Sequence, residues 1–81
     1  MPPTPYEEKF KVGTNVRIQS RDELDRFARE WKYHNRLTKE QLGYADVITD
    51  VTNVGFYHGG DPLYTLRGAP GVWHEECLLF A

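Results

Sequence analysis

The chain is poor in the residues that make short proteins chemically active. It has a single cysteine, Cys77, in 81 residues. One thiol excludes an internal disulfide and a cysteine-built zinc site, and fits a reducing, cytoplasmic setting. No apolar run approaches the roughly 18 residues of a membrane-spanning helix. Met1-Pro2-Pro3-Thr4-Pro5 has neither the charged nor the apolar region of a signal peptide. A strongly basic balance is also missing. The net charge is −2, which disfavours general nucleic-acid binding. Repeats and low-complexity tracts are absent beyond the first few residues.

What is present describes one small domain. Aromatic residues make up 14% of the chain, too many for a disordered segment. The length supports one hydrophobic core and leaves little room for a deep catalytic cleft. Charge is divided unevenly. Residues 17–39 sum to +3 and residues 40–81 to −5. Charge runs of this kind usually belong to solvated faces, here neutralising one another, with an anionic partner as the functional alternative.

Residues 1–9 are Pro-rich and polar and read as a flexible arm. Val12-Gly13-Thr14-Asn15 is a turn signal, and Val16-Arg17-Ile18 alternates as a half-buried strand, with Val16 and Ile18 inward. Ser20 and Glu23 have capping-box spacing. Leu24, Phe27, Ala28 and Trp31 follow at i, i+3, i+4 and i+7, which predicts an amphipathic helix inserted at about 21–33. Asp22/Arg26 and Asp25/Arg29 are spaced for ion pairs on its wet side. Thr38 to Gln41 repeats the capping spacing before Leu42-Gly43, so a single helical turn is expected there.

The remainder reads as β. Ala45 to Val54 is rich in Val, Ile and Thr, Leu63 to Leu66 alternates, and Val72 to His74 and Leu78 to Phe80 complete the set. Phe56 to Pro62 reads as an aromatic loop, Gly68 to Gly71 as a tight turn, and Glu75-Glu76 as a brief turn. The expected fold is mainly β with one inserted helix: about five short antiparallel strands forming a small barrel over 10–81.

Two resemblances carry the same fold. Phe10-Lys11-Val12-Gly13-Thr14-Asn15-Val16-Arg17-Ile18 resembles the opening F-x-V-G-D-x-V-R-I of many SH3-like barrel proteins. Gly43 to Val51 is similar to their second strand, and Leu63-Tyr64-Thr65-Leu66 followed by Trp73 to Leu78 to their closing segment. Together they resemble small bacterial and phage-borne SH3-like proteins. His34-Asn35-Arg36-Leu37, Gly43, Ile48 and Leu63-Tyr64-Thr65-Leu66 are similar to the SH3-like domain of the nitrile hydratase β subunit. That family has Pro where Thr38 falls one step later, and a second Gly where Asp46 stands. This likeness implies an accessory or activator chain and not a catalyst.

Candidate sites follow from residue types. His34, His58, His74, Glu75, Glu76 and Cys77 hold the atoms of a metal site, but their spacing fits none, so they read as surface polar residues and no metal or cofactor is expected. Cys77 beside an apolar tail reads as a small buried hydrophobe instead of a nucleophile. Tyr44, Phe56, Tyr57, Tyr64 and Trp73 could line an aromatic groove that grips a peptide, with Trp73 and one or two tyrosines equally readable as core. Both families that the chain resembles have Gly or Ala, facing a crowded strand interior, where Asp46 stands. Either Ala45 takes the inward place, or Asp46 pairs with Arg36 or His34. Arg26, Arg29, Lys32 and Arg36 could hold an acidic partner, or pair locally.

The function expected is a non-enzymatic interaction module that binds a protein partner or a second copy of itself. Its contact residues would be Trp31, Tyr44, Asp46, Tyr57, Tyr64, Trp73 and Arg36. A small-molecule pocket between helix and barrel mouth is the further alternative.

Overall fold

The computed structural model describes residues 8–31, 36–57 and 61–81, with the side chains of Tyr57 and Asp61 outside that description. His34, Lys32 and His58, named above as candidates, also lie outside it. The chain is mainly β. Five antiparallel strands form one sheet, and two short helices follow the first strand.

β1 (Asn15–Ile18) pairs with both β2 (Ile48–Tyr57) and β5 (Leu78–Phe80). β2 pairs onward with β3 (Asp61–Leu66), and β3 with the two-residue β4 (Trp73–His74). The order is β4-β3-β2-β1-β5. Among the described residues no ladder joins β4 to β5, so the sheet is open at those two edges. β2 holds it together. Its first residues pair with β1, and from Val51 it pairs with β3. The register slips between Val51 and Asn53, which makes Thr52 a bulge. A bulge bends and twists its strand, which lets one strand serve two partners at different angles.

The inward positions are those the alternation predicts. Val16 and Ile18 are buried and Arg17 is exposed. They join Phe10, Leu24, Phe27, Val51, Tyr64, Leu66, Trp73, Cys77 and Leu78 in one core cluster. Phe10 lies before the first strand, yet it is fully buried. Its ring meets Tyr64 edge-on at 5.5 Å and Phe80 at 4.7 Å. Such contacts add about 0.5–1.5 kcal/mol to the area buried.

α1 (Arg21–Glu30) starts where the cap predicts, with Ser20 Oγ accepting the Glu23 N–H at 3.3 Å. It ends sooner than expected, at Glu30, because Trp31 is already extended at φ −87°, ψ 113°. Its ion pairs also differ from those expected. Arg21 pairs with Asp25, and Arg26 with Glu23. The i, i+3 reach to Glu23 takes Arg26 away from Asp22, and Arg21 takes Asp25 from Arg29. The helix buries Leu24 and Phe27, each worth about 1.5–3 kcal/mol of transfer free energy.

α2 (Lys39–Leu42) is the single turn expected, with a complete capping box. Thr38 Oγ1 accepts the Gln41 N–H at 3.2 Å, and Gln41 Oε1 accepts the Thr38 N–H at 3.0 Å. Gln41 is buried and does more. Its amide Nε2 donates to the carbonyls of Val72 at 2.8 Å and Pro70 at 3.3 Å. One side chain therefore closes the helical turn and ties it to the loop entering β4. Among the described residues no helix is long and apolar enough to cross a membrane.

Candidate functional site

The end of α1, the start of β3 and the β4 exit converge on a recess. Phe27, Trp31, Pro62, His74, Glu75 and Glu76 line it, around a volume of about 150 Å³. Helical spacing puts Phe27 and Trp31 on one face. Trp31 keeps that place because its N–H still bonds to the Phe27 carbonyl at 2.8 Å. Their rings stack at 5.5 Å with 14° between planes. The His74 ring packs against both, 5.0 Å from Phe27 and 4.7 Å from Trp31.

His74 is therefore not the surface residue its polarity suggested. It is buried. Adjacent strand residues point to opposite faces. Trp73, opposite Tyr64, goes to the core, and its neighbour is left facing α1. The helix covers the side of β4 that would otherwise meet water. The signal available in the sequence was the helix stripe itself, which needed an aromatic or apolar surface to cover.

Below this aromatic wall the chain makes a 3₁₀ turn, Glu75–Cys77. Glu75 is fixed from behind. Its Oε2 accepts the Tyr64 hydroxyl at 2.7 Å and the Lys9 N–H at 3.3 Å. The same hydroxyl oxygen accepts the N–H groups of Lys9 at 3.0 Å and Phe10 at 3.3 Å. Tyr64 is thus a buried hub tying the segment before β1 to the turn before β5. Its pKa is pushed up to about 12, first by burial and then by its bond to Glu75.

Glu76 is exposed and borders a second recess, also about 150 Å³, with Glu23, Arg26, Phe27 and Glu30. Across both recesses the lining holds four carboxylates and one guanidinium. That guanidinium, on Arg26, bonds to Glu23 and is held more basic than usual by it. Among the described lining residues, Glu30, Glu75 and Glu76 remain without a lining cation. The described lining of the two recesses is therefore acidic, while Arg29 is the basic residue in the last turn of α1.

The other candidates are scattered. Tyr64 and Trp73 are fully buried, so their rings belong to the core and offer no contact surface. Tyr44 is half-buried against that core. Phe56 and Tyr57, read as loop, extend β2, and Pro62 belongs to β3, opposite Phe56. Arg36 is exposed and lines a recess of about 170 Å³ with Thr38, Gln41, Gly71 and Val72, which shares no described lining residue with the recess at Trp31. Asp46 is exposed at φ 66°, in the left-handed region, two residues before β2. Its N–H reaches the carbonyls of Ile18 at 3.0 Å and Gln19 at 3.2 Å, and Ala45 packs against the core instead. Asp is one of the few residues that tolerate that conformation. Being exposed, its carboxylate needs no cation. Of the expected contact residues whose side chains are described, Trp31 alone lines the aromatic and acidic recess, and Pro62, His74, Glu75 and Glu76 join it.

Cys77 is buried in the core. Burial and the nearby Glu76 charge push its thiol up to about 12, which makes it a poor nucleophile. Among the described residues no group of three or more His, Cys, Asp or Glu side chains is placed to hold a metal ion. Comparison with protein-family models, curated proteins and solved structures finds no match.

Proposed function

We propose that this chain is a non-enzymatic SH3-like barrel module of the cytoplasm that binds a protein partner through the recess at Trp31. The observation that carries the reading is the convergence of three elements on that recess. Phe27 and Trp31 come from the helix, Pro62 from the β2–β3 hairpin, and His74, Glu75 and Glu76 from the β4 exit. Rigid rings bordered by charged groups suit side-chain recognition, because they offer contact area at little entropic cost. The pairing of the first strand with the last, and the bend of β2 at Thr52, support the barrel reading.

Volume favours a side chain over a free metabolite. Small-molecule sites usually enclose about 300–1,000 Å³. The recess at about 150 Å³ falls below that range. The thiol chemistry of Cys77 gives no support to a catalytic reading.

Selection from a random peptide display library tests the proposal. Enriched peptides should bind the wild-type chain and lose binding to Trp31→Leu, with folding of the variant checked by its thermal melt. Failure to enrich any peptide, or peptides that bind both chains equally, would overturn it.

A further inference from the structure

We infer that the Trp31 recess selects an arginine side chain of the partner, seating its guanidinium between the aromatic wall and the carboxylates of Glu75 and Glu76. This rests on the interaction reading above and names the chemistry that reading leaves open.

Charge and shape both point to this cation. The aromatic side of the recess comes from Phe27, Trp31 and His74, and the polar side from Glu75 and Glu76. Cations are drawn to aromatic faces, tryptophan most of all. The adjoining recess adds Glu30, while its Arg26 is engaged by Glu23. An anionic or neutral side chain would lose its water there without gaining an opposite charge.

Arginine fits better than lysine. Its guanidinium is planar, stacks on rings and is less strongly hydrated than an ammonium, so entering a half-apolar recess costs it less. It can also bond to carboxylates with two N–H groups at once. One of the two acceptors is fixed in advance. Glu75 is held through Oε2 by the Tyr64 hydroxyl and the Lys9 N–H. A pre-positioned acceptor lowers the ordering cost of binding. The volume of about 150 Å³ is some tenfold more than a single water requires, roughly 10–15 Å³ on this measure, and suits the end of one long side chain.

The test uses the full chain labelled with ¹⁵N and acetylated, amidated pentapeptides with Arg, Lys, citrulline or Glu between glycines. The two tryptophans give a built-in control, since Trp73 is buried and Trp31 borders the recess. The arginine peptide should shift the Trp31 indole and the Glu75 and Glu76 amides while leaving the Trp73 indole unmoved. Citrulline, the neutral isostere, should bind at least about tenfold more weakly, as expected when a charge-assisted bond is lost. Glu76→Gln should weaken the arginine peptide about threefold and leave citrulline unchanged. Equal binding of arginine and citrulline, or no shift at Trp31 with arginine, overturns the inference. If display-selected peptides bind at Trp31 without preferring arginine, the inference fails and the interaction reading stands. If no selected peptide binds at Trp31, the interaction reading itself fails.

Discussion

Replacing Gln41 by leucine should destabilise this domain more than any change at an exposed position. The substitution keeps most of the side-chain volume and removes only the amide. Three hydrogen bonds go with it, one from the Thr38 N–H and two to the carbonyls of Pro70 and Val72. Each is worth about 1 kcal/mol net, and more where a partner is left without water. The expected loss is about 2–4 kcal/mol, set against a total of roughly 4–12 kcal/mol for a chain of this length. At about 4–8 °C per kcal/mol, the melting temperature should fall by roughly 8–32 °C. Thermal and urea unfolding followed by circular dichroism measure this directly.

Gln41→Glu sharpens the test. The carboxylate keeps an acceptor for the Thr38 N–H but turns negative oxygen toward two carbonyls. Its folded pKa should therefore rise above the ordinary glutamate value of about 4.3. A folded pKa above the unfolded one gives stability that is complete below the unfolded value and is lost as pH rises through the folded value. The deficit of this variant should thus be smallest in acid and grow toward neutrality. A leucine variant within about 0.5 kcal/mol of wild type would refute the claim that Gln41 clamps α2 to the loop before β4.

Two further outcomes follow from buried groups. Tyr64→Phe removes the acceptor of the buried Phe10 N–H and the donor to Glu75, and should cost about 2–3 kcal/mol in urea unfolding with an unchanged m-value; a loss below about 0.5 kcal/mol would show the hub to be idle. Cys77, with its thiol near 12, should resist a disulfide reagent at pH 8 in the native chain and react quickly once unfolded by urea, and rapid native labelling would contradict its burial. Both pKa values are raised on folding, so stability should be complete below about pH 8.5, the ordinary thiol value, and decline as pH climbs toward 12; an alkaline melt that holds constant over that window would oppose this.

Local rules explain much of the architecture. Ser20 set the start of α1 because a hydroxyl there can satisfy an end N–H, whatever lies elsewhere. The Thr38–Gln41 box did the same for α2. Alternation placed Val16 and Ile18 inside, because a strand that buries one face permits one register. Ala45 and Asp46 show where such rules stop. Both inward readings were open in the sequence, and the choice depended on where the turn before β2 met the end of β1.

The candidate site was legible only in part. Trp31 was marked by the helix stripe. His74 was not, since a histidine next to two glutamates looks solvated until a helix is laid over it. Pro62 and Glu75 carry no local signal at all, because their roles come from neighbours distant in the chain. Ion pairing followed the same division: the spacing offered Asp22 to Arg26, and in the folded helix Arg26 pairs with Glu23.

The amino-acid order by itself determined a small, mainly β domain, its helix starts and its inward residues, because each of these depends on neighbours within a few positions. Only the tertiary structure decided that Gln41 would bridge to Pro70 and Val72, that Tyr64 would join Lys9 and Phe10 to Glu75, and that Trp31 would meet His74 and two carboxylates. Those contacts link residues far apart along the chain, and their geometry exists only once the strands are paired and the helix is seated.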